Sequence, residues 1–195
     1  MTEKQQYTVT KQMREARNGH KAFVIWLTGL SGSGKSTLAN ELEQYLFAQG
    51  KNVFVLDGDN IRDGINKDLG FSKEGRKENI RRVAEIANLF SNAGIITISA
   101  FISPYAADRQ LARDIIGTGN FVEVYLDADI EVCSQRDVKG LYAKAKAGLI
   151  KEFTGISDVY EQPGNPEITL QTGSDSIDTL LQQLISWLTN NQFLT

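Results

Sequence analysis

Apolar positions in this chain fall into short unbroken runs, separated by longer stretches with a helical period. The first run, Ala22 to Leu27, is continuous rather than alternating, which predicts a central strand covered on both faces. A Gly/Ser-rich turn follows it, and Ser36 to Gln49 reads as a helix closed by Gly50. Val53 to Leu56 forms a second short strand that ends at Asp57-Gly58-Asp59. Residues 76–92 carry Ile80, Val83, Ala87 and Phe90 at three- and four-residue steps, so one helical face is apolar. The opposite face places Glu78 near Arg82 and Arg81 near Glu85. Gly94 ends this helix, and Ile95 to Ile98 begins a third strand. A helix through Leu111 and Ile115 runs to Gly117. Phe121 to Leu126 is a fourth strand, followed by a helix starting near Asp129. Glu167 to Leu170 supplies a short fifth strand before a last helix, Ser176 to Leu188. Strands alternating with helices predict an α/β fold with a mostly parallel sheet and helices on both faces. The order of the strands is not legible.

The 195 residues show no second regime of composition and no linker, so one domain spanning 22–195 is expected. Residues 1–21 are polar and mixed in charge. They are read as an N-terminal arm, whether frayed, helical on the surface or touching a partner. A net charge of -3 gives no general attraction to nucleic acid or anionic membrane, so any phosphate site must be built locally. The single cysteine, Cys133, excludes an internal disulfide and reads as a buried small apolar residue. With His20 the only histidine, a structural zinc site has almost no ligands. No stretch resembles a signal peptide or spans a bilayer, so a cytoplasmic location is expected.

Chemistry enters directly after the first strand. Gly29-Leu30-Ser31-Gly32-Ser33-Gly34-Lys35-Ser36 matches G-x-x-x-x-G-K-[ST] residue for residue, and Thr37 follows. Small residues let backbone N–H groups turn inward around phosphate oxygens, and the helix beginning there adds its positive end. Lys35 is placed to reach the β and γ phosphates, and the Ser36 hydroxyl to ligate magnesium. The loop by itself says nucleoside triphosphate and no more. The guanine-reading N-K-x-D pattern is absent, and the chain is short for an ATP-driven motor, which leaves a small-molecule kinase.

Asp57 and Asp59 stand at the carboxyl end of the second strand, where open sheets bind ligands. Asp59 is the first choice to orient or deprotonate an acceptor hydroxyl, or to hold magnesium-bound water, with Asp57 second; both also suit capping of a short helix. Arg62, Arg76 and Asn79 are candidate acceptor-binding groups, since a guanidinium fork fits phosphate or sulfate. A basic, glycine-interrupted segment runs from Arg136 through Lys139, Lys144, Lys146 and Lys151 to Phe153-Thr154-Gly155. Such a segment can close over phosphates and exclude water.

Taken in order, these motifs resemble the adenylyl-sulfate kinase (APS kinase) family of P-loop kinases. The likeness runs from Val9-Thr10 and Gly19-His20-Lys21 almost to the C-terminus. It is carried by the phosphate loop, Leu56-Asp57-Gly58-Asp59-Asn60-Ile61-Arg62, Asp68-Leu69-Gly70-Phe71-Ser72, Glu78-Asn79-Ile80-Arg81-Arg82 and Phe101-Ile102-Ser103-Pro104-Tyr105. Arg136-Asp137, Lys139-Gly140-Leu141-Tyr142 and Lys151-Glu152-Phe153-Thr154-Gly155-Ile156 complete it. The resemblance implies the P-loop NTPase fold with a lid at about 136–157. It implies transfer of the ATP γ-phosphoryl group to the 3′-hydroxyl of adenylyl sulfate, in sulfate assimilation. Lys35, Asp59 and Lys139 become the catalytic group, with Mg2+ at Ser36 and near Asp59. Residues 29–37 and Arg136 hold ATP. Arg62, Arg76, Asn79, Ile102, Ser103, Lys139 and Leu141 bind the acceptor, whose adenine lies between Phe71 and Phe153. Ser103 also matches a serine phosphorylated in some members, although direct transfer from ATP needs no phosphoserine. A homodimer is implied, and association with an ATP sulfurylase is a further expectation.

Four positions depart from the family pattern: Gly75 for a common aspartate, Val138 and Val159 for prolines, and Lys146 for an arginine. Two other readings stand beside the kinase. One is a regulatory module that senses 3′-phosphoadenylyl sulfate without making it, against which the intact phosphate loop and Asp59 argue. The other is a different small-molecule P-loop kinase acting on a sugar or nucleoside; a simple sugar would have no use for two aromatic rings.

Overall fold

The computed structural model describes residues 5, 7–137 and 139–194. Five strands, β1 (Val24–Thr28), β2 (Val53–Asp57), β3 (Ile96–Ala100), β4 (Phe121–Asp127) and β5 (Ile168–Gln171), form one sheet in the order β2-β3-β1-β4-β5. Every neighbouring pair is parallel. The helices are α1 (Lys11–Asn18), α2 (Lys35–Ala48), α3 (Gly58–Asp63), α4 (Lys73–Asn92), α5 (Ala106–Ile116), α6 (Ile130–Arg136), α7 (Leu141–Lys146) and α8 (Ile177–Asn190).

The continuous apolar run of β1 has the expected cause. Phe23, Ile25 and Leu27 pack with residues of α2 and α8 in one core, while Val24 and Trp26 pack with α4 and α5 in the other. Each fully buried large apolar side chain contributes about 1.5–3 kcal/mol, so a strand buried on both faces is the rigid centre of the sheet. Its carboxyl end aims the phosphate loop. Trp26 lies between the rings of Phe101 and Phe121, at 6.0 and 5.7 Å.

Several boundaries move by one to three residues, for local reasons. The long helix begins at Lys73 rather than at residue 76, because the Ser72 hydroxyl accepts the Gly75 N–H and caps it. Gly75 is the residue that permits this start: a Cβ there would stand 2.7 Å from the Gly70 carbonyl oxygen. The Asp57-Gly58-Asp59 turn opens a short helix, with the Asp57 carboxylate accepting the Asp59 N–H. Both ion pairs foreseen on α4 form, Arg82–Glu78 at 2.9 Å and Arg81–Glu85 at 3.7 Å.

Within the polar N-terminal stretch, α1 is tied to the sheet's far end. Lys11 donates to Asn120 and Asn18 to the Gly94 carbonyl, while Glu15 accepts the Ala22 N–H. The expected arm includes residues 1–4 and 6, which lie outside the described residues. Among the described residues, no helix is long and apolar enough to cross a membrane.

Candidate active site

The carboxyl ends of β1, β2 and β3 bring most of the foreseen residues to one edge of the molecule. The loop from Gly29 to Gly34 leaves β1 and enters α2, whose N-cap, Gly34, offers no side-chain cap. The first-turn N–H groups of α2 are therefore available to an anion, with the helix dipole behind them. Gly32 shows why the loop needs glycine: its φ is +78°, and a Cβ would stand 2.8 Å from the Cys133 carbonyl oxygen.

Lys35 is only 9% exposed, and its ammonium donates to the Gly29 and Leu30 carbonyls at 2.9 and 2.7 Å. Burial pushes its pKa down to about 8. The Ser36 hydroxyl donates to Asp57 Oδ2 at 2.7 Å. The carboxylate beside Ser36 is thus Asp57, while Asp59, foreseen near magnesium, forms an ion pair with Lys139. The two acids of one turn divide because they sit on either side of the α3 N-terminus. Among the described residues, no group of three or more His, Cys, Asp and Glu side chains forms a metal cage. A hydroxyl and a carboxylate in contact still suit magnesium, which takes few protein oxygens and keeps its waters.

On the acceptor side, Arg62 places its guanidinium 4.4 Å from the centre of the Phe71 ring. Burial and the neighbouring charge of Arg76 both lower the Arg62 pKa, so two cations share this corner. Phe71 is 62% exposed. Arg76 does not extend freely into solvent. It donates to the Phe71 carbonyl at 2.9 Å, to Thr154 Oγ1 at 3.2 Å and to the Glu152 carbonyl at 2.5 Å. One guanidinium therefore joins the Phe71 turn to both flanks of Phe153, where Glu152 has a φ of +56°. Asn79 is buried and accepts a hydrogen bond from Asn66 at 3.0 Å.

Phe153 is 7% exposed and packs in a small cluster with Cys133, Tyr142, Ala145 and Leu141. Its ring meets that of Tyr142 edge-on, at 5.0 Å and 78°. It is thus more enclosed than Phe71. Cys133 is fully buried, and its pKa is raised by that burial. Tyr142 also donates to the Ser31 carbonyl at 2.8 Å, tying α7 to the phosphate loop. The Asp137 carboxylate accepts the Tyr142 and Ala143 N–H groups and so caps α7. Arg136 reaches the Gly32 and Thr172 carbonyls, at 3.4 and 2.7 Å. Lys146 donates to Ser134, Val159 is exposed, and Val138 lies outside the described residues.

The Ile102–Ser103 stretch closes the site behind these groups. Ile102 accepts the Thr28 hydroxyl at 2.7 Å through its carbonyl. Ser103 is 2% exposed with a φ of +39°, and its hydroxyl accepts from the Trp26 indole at 3.1 Å. The Ser103 carbonyl accepts from buried Arg109, which also holds Glu123 and the Glu161 carbonyl. The Ser103 hydroxyl is therefore turned into the core, and the backbone carries whatever this stretch presents. Four residues that the motifs did not mark with a role emerge here: Asn66, Arg109, Tyr142 and Thr154. Tyr142 and Thr154 stood inside quoted motifs; Asn66 and Arg109 had no signal, because the side chains they hold, Asn79 and Glu123, lie 13 and 14 residues away.

The chain is similar to known proteins. The family model for adenylylsulphate kinase covers residues 21–171. An adenylyl-sulfate kinase of Staphylococcus haemolyticus is 55% identical over 186 residues, 95% of this chain and 94% of that one. An APS kinase from Mycobacterium tuberculosis, solved in complex with AMPPNP and APS, superposes with a TM-score of 0.84. It is 44% identical, over 87% of this chain and 99% of its own. A sugar kinase from Janibacter, at 19% identity and a TM-score of 0.58 over 86% of this chain and 95% of its own, shares the fold alone. With its phosphate loop, acidic turn and basic segment assembled at one sheet edge, the chain belongs to the adenylylsulphate kinase family.

Proposed function

We infer that this protein is an adenylyl-sulfate kinase that phosphorylates the 3′-hydroxyl of adenosine 5′-phosphosulfate with ATP, yielding 3′-phosphoadenylyl sulfate and ADP. The observation that carries the reading is the convergence of an uncapped phosphate loop with the Asp59–Lys139 pair and the Arg62–Phe71–Arg76 corner.

In the reaction, the acceptor oxygen forms a bond to the γ-phosphorus as the bond to the bridging oxygen of ADP breaks. Asp59 orients the hydroxyl and takes its proton, and Lys139, paired with Asp59, lies beside the reacting oxygens. Lys35 and the N–H groups of α2 stabilise charge on the transferred group, since phosphoryl transfer needs positioning and neutralisation more than a strong base. Magnesium fits Ser36 and Asp57; when bound it neutralises charge on the β and γ phosphates. Arg62 and Arg76 attract the phosphosulfate group, and Phe71 and Phe153 bracket the adenine. The segment 136–157 serves as a lid on the domain formed by 22–195, with residues 1–21 as its arm, and Arg136 lies on the ATP side.

The test is direct. Purified protein with ATP, magnesium and adenylyl sulfate should form ADP and 3′-phosphoadenylyl sulfate in equal amounts. ADP formed without the second product would sink the reading, and binding of 3′-phosphoadenylyl sulfate without turnover would favour a sensor. The enzyme is further proposed to act in the cytoplasm as a homodimer, beside the ATP sulfurylase that makes its substrate. Sedimentation showing only monomer at micromolar concentration would reject the stable dimer.

A further inference from the structure

Asn66 is wholly buried, with no exposed surface, and belongs to none of the motifs that define the site. It lies in the turn between α3 and α4. Its main-chain N–H donates to the Ile61 carbonyl at 2.9 Å, and its carbonyl accepts the Leu69 N–H at 3.0 Å. Arg82 anchors the same turn to α4 through both Asp68 oxygens, at 2.7 and 2.9 Å. These contacts alone would hold the turn. The side chain does something else. Its amino group donates to Asn79 Oδ1 at 3.0 Å, while its own Oδ1 is buried with no partner among the described residues.

An amide in that position is a poor choice for stability. A buried oxygen left unpaired carries the desolvation cost of a polar group without a bond to offset it, and an apolar side chain of the same shape avoids that cost. Local rules are broken in this way mainly where function requires it. The use is visible in Asn79. An asparagine amide can present either its oxygen or its amino group, and the surrounding donors and acceptors decide which. With the Asn79 oxygen engaged by the Asn66 donor, the amino group is the free end, and among the described residues it makes no hydrogen bond.

We propose that Asn66 is a positioning residue that fixes the Asn79 amide with its amino group toward the acceptor nucleotide. The substrate atom met there is then a lone-pair acceptor, such as a ring nitrogen or a sugar, phosphate or sulfate oxygen, and not an amino or hydroxyl donor. This rests on the proposed function, in which Asn79 faces the acceptor. Because Asn66 also bonds to Ile61, it ties the helix of Asp59 and Arg62 to the helix of Asn79 and keeps both sides of the acceptor site in register.

The test is a double-mutant cycle on the full-length enzyme with Asn66→Leu, Asn79→Ala and the pair. The assays are kcat, KM for adenylyl sulfate, KM for ATP and thermal melting. Leucine keeps the branched shape and removes the unpaired oxygen, but it is larger than asparagine and leaves the buried Asn79 oxygen without its donor, so a modest fall in melting temperature is expected. The KM of Asn66→Leu for adenylyl sulfate should rise roughly 3- to 30-fold, the scale of coupling between contacting residues, with KM for ATP unchanged. In the Asn79→Ala background the same leucine should add almost nothing to that KM. An equal rise in both backgrounds, or parallel losses for both substrates together with a much lower melting temperature, would show Asn66 to be structural only. Should Asn66→Leu fail to fold, Asn66→Ser completes the cycle with the same expectation for KM. A wild type that makes no 3′-phosphoadenylyl sulfate would overturn the proposed function; an active wild type with an additive cycle overturns this inference alone.

Discussion

Replacement of Phe153 separates the packing seen for its ring from the adenine stacking proposed for it. The side chain packs against Tyr142, Cys133, Ala145 and Leu141, a cluster distinct from the two cores flanking the sheet. Truncating a buried Phe to Ala costs about 3–5 kcal/mol in a full core. Here the loss should fall on local opening of 141–158, because a satellite cluster can open without the sheet. The turn itself survives: the Phe153 carbonyl accepts from Ile156, Ser157 and Asp158 at 3.0–3.1 Å, and its N–H donates to Ser157 Oγ, none of which needs the ring. Phe153→Leu keeps most of the apolar volume, at a cost of roughly 1.5 kcal/mol or less, but removes the flat face. Lost stacking on adenine is worth about 1–3 kcal/mol, or roughly 5- to 150-fold in affinity. Adenylyl-sulfate and ATP affinities, a thermal melt and hydrogen exchange over 141–158 should therefore split the variants. Leucine should weaken adenylyl sulfate with little change in melting or exchange, and alanine should add faster exchange. A Phe153→Leu enzyme with wild-type affinity for adenylyl sulfate would refute stacking and leave Phe153 a packing residue.

Lys35→Ala should nearly abolish turnover with the fold intact, and wild-type kcat in that variant would remove Lys35 from the mechanism. The native pKa of Lys35, about 8, is below its ordinary 10.5, so the unfolded chain holds more protons between these values. Stability of the wild type should rise relative to Lys35→Met as pH climbs from about 8 towards 10.5, read by urea denaturation. ATP binding near pH 8 should likewise take up a proton, visible by calorimetry in buffers of different ionisation enthalpy; no uptake would contradict a partly neutral Lys35. Asp57→Asn should raise the magnesium needed for half-maximal rate, whereas Asp59→Asn should lower kcat with KM for ATP little changed, and the reverse pattern would exchange their roles. Thr154→Val removes one acceptor of the Arg76 clasp and leaves the Arg76 charge. It should raise KM for adenylyl sulfate several-fold, in keeping with loss of about 1 kcal/mol from a partly exposed hydrogen bond, without changing KM for ATP.

The sequence alone was enough for the phosphate loop, because its chemistry depends on consecutive residues and on glycines whose backbone angles few others adopt. It was enough for the doubly covered β1 and for the i,i+4 pairs of α4, since these are also local periodicities. It placed Asp57 and Asp59 at a strand end and put Asp59 first for the acceptor hydroxyl or magnesium-bound water, but it could not name the contacts of either. Those contacts came from Ser36, 21 residues from Asp57, and from Lys139, 80 residues from Asp59, meeting opposite sides of one turn. Strand order was equally out of reach, because each strand's apolar run fits any interior position of a parallel sheet. The Arg76 clasp, the enclosure of Phe153 and the buried hold of Asn66 on Asn79 were decided only in three dimensions. A guanidinium or an amide can bond whatever acceptor is nearest, and only the packing of α4 against its neighbouring segments determines which acceptor that is.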